Sequence, residues 1–359
     1  MKGLWWKLLS IVLMLYVVIA GMLVPLAPGI QAVSPRNLEA GTTSTLAISA
    51  YNTSFSADDK LRVWLKLGSP GAVGQVDTAL RATSIRVVNP QQVEATFTVP
   101  AYLPEVSTGL RATLLVDDPQ DGAFVLPSAI QLSPKPDLVG AADPNRWLTK
   151  LDDLHESQGF TYPYRGLLSE TIRNQYFHVS LWFALMLLML AAAVYALRYL
   201  LKGDPELDRK SEALTRVGLG FGLLGLVTGM VWANYTWGKP WSGDIKQNMT
   251  AVALLIYSAY FVLRGSLGSA QQASRVGAAY NIFAFVMLIP LLYVIPRMRD
   301  SLHPGAGGNP GFGGEDLDNT MRMVFYPGII GFTLLGLWIA QLYWRTARLA
   351  NRVRERTLR

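Results

Sequence analysis

Six apolar segments set what this chain can fold into. They are Leu8–Leu26, Val179–Leu201, Val217–Tyr235, Met249–Leu263, Val276–Ile295 and Val324–Trp344. A helix crosses a bilayer with about 20 apolar residues, and a backbone in lipid has no water to pair with, so such runs fold as helices. Met249–Leu263 is the short one, and an approach through Asn248 with a tilted or locally thinned crossing accommodates it. Hydrophobic residues make up 51% of the chain and charged residues 16%, which suits a membrane protein carrying some soluble mass. The formal charge is +7, yet Lys and Arg gather at the ends of the apolar runs. That distribution excludes nucleic acid as a partner and makes membrane lipid the expected neighbour. Cys is absent, which removes disulfides, thiolate metal sites and thiol nucleophiles.

The first run follows Lys2 and Lys7 and exceeds the roughly 7–15 residues of a signal-peptide core. The only cleavage-like site, Ile30-Gln31-Ala32, is poor, so residues 1–32 read as a retained transmembrane anchor. With a cytoplasmic amino terminus, the short inner segments hold fifteen Lys and Arg and the short outer loops five. This positive-inside bias predicts a multi-pass protein of the bacterial inner membrane, both termini cytoplasmic and residues 33–177 periplasmic.

Residues 33–136 change to alternating segments. Leu61, Val63, Leu65 and Leu67 alternate with Arg62, Trp64 and Lys66, and Val93, Ala95, Phe97 and Val99 repeat the pattern, as strands with one buried face do. Thr45–Tyr51, Ile85–Val88, Leu110–Val116 and Ala129–Leu132 are further strands, with turns at Ser69-Pro70-Gly71, Asn89-Pro90 and Asp117–Gly122. Residues 137–177 read as a helical linker. Trp147, Leu148, Leu151 and Leu154 share one face of a helix over Ala141–Gln158, with His155 solvated on it, and Gly166–Tyr176 forms a second short helix. The expected fold is an α-helical polytopic membrane protein of six transmembrane helices with an inserted all-β, immunoglobulin-like extracytoplasmic domain. Residues 178–346 supply five of the helices and residues 347–359 a basic tail.

Parity of the spans brings three features to the outer face: His178, the tryptophan-rich loop 232–248 and His303. Tryptophan at a membrane boundary is an ordinary anchor, and each histidine alone reads as a boundary or loop residue. Together they also suit a metal: a neutral imidazole donates a lone pair, and a porphyrin iron takes one axial ligand on each face. Copper or zinc on the same two histidines lacks a third His, a Cys or an acidic cluster to complete it. The chain holds no hydrolytic triad or paired carboxylates. Gly305–Gly314 is followed by no phosphate-loop Lys-Ser/Thr, and spans almost free of charge argue against a channel.

Leu226-Val227-Thr228-Gly229 with Trp232, then Trp237-Gly238-x-x-Trp241-x-x-Asp244, flanked by Tyr176-Phe177-His178-Val179 and Ser301-Leu302-His303-Pro304, resembles the CcmC-type haem-handling proteins of cytochrome c maturation over residues 170–345. The resemblance implies that His178 and His303 are axial ligands of haem b and that Trp232, Trp237, Gly238, Trp241 and Asp244 form the haem-holding loop. Lys246 falls where the family carries a basic residue after the Asp, which implies a propionate contact. It further implies loading of a periplasmic haem chaperone beside an ABC-type maturation complex, a transfer role rather than ordinary enzymology. Two other functions stay open: a haem lyase acting directly on apocytochrome, and a membrane adaptor without haem whose β-domain binds a partner. The family signature reads Trp-Gly-x-x-Trp-x-Trp-Asp, so Gly243 replaces its third tryptophan. The family's short members also lack the β-domain.

Overall fold

The computed structural model describes residues 3–57, 60–67, 77–138, 142–149, 151–157, 159–303, 313 and 317–357. The chain divides into two compact units, one of Met1–Val24 with Glu170–Arg359 and one of Pro25–Ser169. The turn at Ser69-Pro70-Gly71 and the glycine-rich stretch 305–314, apart from Gly313, lie outside the described residues.

In the first unit the helices are α1 (Trp5–Leu23), α2 (Gln175–Lys202), α3 (Pro205–Trp237), α4 (Ile245–Ser266), α5 (Ala270–Ile289) and α7 (Asn319–Thr357). A π turn (Pro290–Val294) and the single turn α6 (Ile295–Arg297) prolong α5. Six of these helices are long and apolar enough to cross a membrane, in line with the six apolar runs. The short fourth run becomes the 22-residue α4, because the helix extends past the apolar residues at both ends.

Local chemistry sets the boundaries of these helices. Gly203, at φ +72°, ends α2, and Asp204 caps α3 by accepting from the Glu206 N–H at 2.9 Å, with Pro205 at the first helical position. Packing centres on α2, whose Leu181, Ala184, Leu185, Leu188, Met189 and Ala192 are buried against Leu214, Phe221 and Leu254. Small residues let backbones approach where no hydrophobic contrast between helix and lipid drives association. Arg173 ties α1 in by donating to the carbonyls of Gly21 (2.9 Å) and Val24 (2.7 Å).

The end of the bundle where α3 begins carries a paired charge. Arg264 donates to both oxygens of Asp208, at 2.8 and 2.9 Å, and Ser274 donates to the same carboxylate. Both charged residues fall inside helices rather than in connecting segments, but each meets its opposite there.

The second unit holds β1 (Gly29–Ser34), β2 (Asn37–Glu39), β3 (Thr43–Tyr51), β4 (Arg62–Leu67), β5 (Asp77–Arg81), β6 (Ser84–Asn89), β7 (Gln92–Thr98), β8 (Leu110–Asp118), β9 (Gly122–Ser133) and β10 (Leu148–Thr149). They form a four-stranded sheet ordered β1-β3-β7-β6 and a six-stranded sheet ordered β10-β5-β4-β8-β9-β2. Pairing is antiparallel except between β2 and β9. The alternating residues Val63, Leu65, Val93, Ala95 and Phe97 all enter one core with Leu46, Ile48, Leu114, Val116 and Ile130.

The linker differs from the sequence expectation. Among the described residues of 141–158 there is a 3-10 turn (Pro144–Trp147) and β10, but no α-helix. Trp147 is spent on the sandwich: it is fully buried there and its indole N–H donates to the Tyr102 carbonyl at 2.9 Å. The helix expected over Gly166–Tyr176 is a 3-10 turn (Ser169–Asn174) running into α2. His155 is no helix residue either. Its backbone N–H and Nδ1 reach the buried Asp117 carboxylate at 2.8 and 2.9 Å, where Arg62 also donates. That carboxyl would be pushed up by burial, but the hydrogen bonds of His155 and Arg62 hold it below the usual carboxylate range.

Candidate functional site

His178 lies in the first turn of α2 and packs on the last three turns of α3. Its Nδ1 is 3.1 Å from Thr228 Oγ1. That hydroxyl also lies 2.9 Å from the Leu224 carbonyl and 3.1 Å from that of Gly225, so its single proton goes to the backbone. Toward the imidazole it acts as acceptor, and His178 carries its proton on Nδ1. The ring is boxed by the indoles of Trp182 and Trp232, edge-on at centroid distances of 6.2 and 5.8 Å. Trp232 is itself fixed by donating to Thr171 Oγ1 at 3.1 Å. Gly229 leaves room for the ring: a Cβ there would stand 2.6 Å from His178 Cε1.

His303 is held by Asp244, which does two jobs. As N-cap of α4 it accepts from the Lys246 N–H at 2.8 Å through Oδ1. The same oxygen accepts from His303 Nδ1 at 2.9 Å, while Oδ2 accepts from Ser301 Oγ and the Leu302 N–H, both at 2.8 Å. Four donors thus converge on one buried carboxylate, and His303 also carries its proton on Nδ1. Burial alone would raise the Asp244 carboxyl; the hydrogen bonds from His303, Leu302 and Ser301 outweigh it and hold the group well below the usual carboxylate range. Trp237 meets His303 edge-on at 4.8 Å.

Between these residues the loop is folded by two glycines of positive φ and by its own polar side chains. Gly238 (φ +74°) ends α3, its N–H donating to the Asn234 carbonyl, and Gly243 (φ +77°) turns the chain into α4. Gln247 Oε1 accepts from Ser242 N and Oγ, both at 3.0 Å, and Asn248 donates to the Gly243 carbonyl. Trp241 is the most exposed of the loop's indoles and donates to Asn248 Oδ1 at 3.2 Å. Lys246 is partly buried on the first turn of α4. His303 and Lys246 both lie within electrostatic reach of His178.

Of the residues singled out by sequence, Trp232 thus pairs with His178, whereas Trp237 and Asp244 pair with His303; Gly238 and Trp241 shape or edge the loop. Thr228, Trp182, Thr171 and Ser301 were given no role by sequence, although a Thr inside an apolar run is a standing hint of a side chain bonding across helices. Two shallow grooves of about 500 and 440 Å³ run along α3 nearby, sharing Val231 and Tyr235, and Trp232 forms a wall of the larger. Neither contains His178 or His303, so the histidine chemistry lies apart from the grooves.

Both imidazoles thus have Nδ1 engaged by a fixed oxygen. Known proteins bear on this arrangement. A heme exporter protein C of Bradyrhizobium diazoefficiens is 24% identical over 185 residues, covering 52% of this chain and 70% of its own length. A heme exporter protein C of Paracoccus denitrificans is 23% identical over 188 residues, covering 52% and 78%. A cytochrome c biogenesis protein CcsA of Prochlorococcus marinus (strain MIT 9515) is 43% identical over 89 residues, 25% of this chain and 28% of that protein. The family model described as heme exporter protein C matches residues 160–359, more than half of the chain, and the protein accordingly belongs to the CcmC family.

Proposed function

We propose that this protein binds haem b through His178 and His303 and presents it at the periplasmic face of the inner membrane for transfer to a periplasmic haem chaperone during cytochrome c biogenesis. The observation that carries this reading is the matched placement of the two imidazoles: each has Nδ1 engaged by a fixed oxygen, which leaves Nε2 as the atom through which the neutral ring would ligate iron. The neighbouring side chains are of the kinds a porphyrin needs. Trp182, Trp232 and Trp237 give apolar walls beside the two rings. Lys246, with Arg297 near enough to feel its charge, supplies cations of the kind that hold propionates. Gly238, Trp241 and Asp244 keep the loop in shape. Haem, when bound, would supply the iron that the two histidines hold; every other function assigned here is the protein's own. Family membership and the names of the relatives support haem handling in cytochrome c biogenesis; an ABC-type maturation complex as partner is part of the proposal.

The test is spectroscopic. Protein purified in detergent and supplied with haem is expected to show a bis-imidazole spectrum, lost in the double variant His178→Ala, His303→Ala. A wild type that stays colourless, or a double variant with the same spectrum, refutes the assignment. The CcsA match favours a second reading, in which the same site serves haem attachment to apocytochrome directly. Cytochrome c maturation that persists in a strain stripped of haem-chaperone function would select it.

A further inference from the structure

The two ligand histidines are oriented by acceptors of different kinds, and we infer that they hold haem iron unequally: His303 is the anchor and His178 the exchangeable ligand, so an incoming acceptor ligand takes the position opened on the His178 side. The inference rests on the haem reading above.

Its physical basis is the partner of each Nδ1–H. His303 donates to a carboxylate oxygen at 2.9 Å, and that carboxylate is fixed by Ser301, Leu302 and Lys246. His178 has only uncharged partners: its Nδ1 lies 3.1 Å from the Thr228 hydroxyl, an oxygen itself tied to backbone carbonyls, and the ring also bonds to the Gly225 backbone. A carboxylate pulls the Nδ1 proton toward itself, pushes electron density onto Nε2 and makes that nitrogen the more basic ligand; a hydroxyl does so far less. The stronger bond favours ferric iron, and the weaker one yields first. The exchange is a plain ligand substitution: the bond from iron to His178 Nε2 breaks, a bond to the incoming donor forms, and no electron moves. His178 stays in place meanwhile, since Trp182, Trp232 and the close approach of Gly229 confine its ring, which leaves it ready to rebind.

Resonance Raman spectroscopy of ferrous haem in the single variants His178→Gly and His303→Gly reads the two iron–histidine bonds separately. The iron–imidazole stretch of His178→Gly, reporting His303, is expected at higher frequency than that of His303→Gly, and adding Asp244→Asn is expected to lower the first. Equal frequencies, or no response to Asp244→Asn, overturn the inference while leaving haem binding intact. Should the single variants lose haem, the midpoint potential of the intact site decides. Asp244→Asn is expected to weaken ferric relative to ferrous binding at least about tenfold, a rise of about 59 mV for one electron. Thr228→Val should move the potential less, and Ser301→Ala, which loosens the loop but spares the carboxylate on the imidazole, least of all. An equal or larger shift in Thr228→Val refutes the asymmetry. A wild type that takes up no haem at all instead refutes the proposed function, and this inference with it.

Discussion

Replacing Gly229 by Ala should separate the stability of the bundle from the placement of His178. Inside a helix such as α3, Ala in place of Gly ordinarily gains about 0.5–1 kcal/mol. Here the new Cβ would lie 2.6 Å from His178 Cε1 and 3.4 and 3.5 Å from Nδ1 and Nε2. The ring has little room to retreat, because indoles stand edge-on beside it and Thr228 holds Nδ1. Overpacking of this kind costs about 1–3 kcal/mol, so the variant should lose about 0–2.5 kcal/mol once the helical gain is set against it. The functional loss should be larger, since displacing an oriented ligand costs about 10–100-fold in metal affinity. Gly220 on the same helix has no atom within 4 Å of its virtual Cβ and serves as the control. Haem titration followed at the Soret band, with thermal unfolding in the same detergent, measures both quantities. Haem affinity should fall at least about tenfold in Gly229→Ala and hold in Gly220→Ala. A Gly229→Ala protein that is more stable than wild type and binds haem as tightly would refute the claim that this glycine seats the histidine.

Three further outcomes follow from the same geometry. Asp117 has a lowered carboxyl in the folded β-unit, so its stabilising contribution is present above the unfolded value of about 3.9 and drains away as pH falls through the range below it. Asp117→Asn should flatten that acid limb and cost about 1–3 kcal/mol at pH 7, read by thermal unfolding of the full chain across pH. Restoring the family tryptophan by Gly243→Trp puts a side chain at φ +77°, where it costs about 1–2 kcal/mol, so it should lower thermal stability without tightening haem; a tighter and more stable variant would show that the loop readily takes another path. Arg264→Ala leaves the buried Asp208 carboxylate without its main partner, and about 3–5 kcal/mol should be lost, visible as a fall in melting temperature that Arg264→Lys partly restores.

What the sequence disclosed follows the range of the forces involved. Span number is written in apolar length, and sheet faces in period-2 alternation, both local. The alternating residues of 61–67 and 93–99 accordingly meet in one core. The linker misled because Trp147, Leu148, Leu151 and Leu154 fit a helical period by spacing alone, whereas the binding of Trp147 into the sandwich and the pairing of β10 with β5 are long-range events. The histidines could be brought to one face by counting spans. Their hydrogen-bond partners could not be read in the same way: Asp244 and His303 are 59 residues apart, and His178 and Thr228 are 50 apart. Thr228 in particular looks like filler in an apolar run until α2 is laid against α3.

This distribution of roles also changes what the altered signature means. Read as an aromatic motif, the loop is weakened by Gly243, because one indole of three is gone. In the folded chain the indoles divide their work: Trp237 edges His303, Trp232 edges His178 from within α3, and Trp241 is tied at the surface to Asn248. What the turn before α4 must accomplish is to deliver Asp244 both to the helix cap and to His303, and Gly243 at φ +77° is the residue that bends the backbone there. A tryptophan at 243 would therefore add aromatic surface while opposing the turn that aims the carboxylate. On the proposed reading, the iron depends more on the placement of Asp244 than on the number of indoles around it, so the glycine gives up a wall of the site and keeps its anchor.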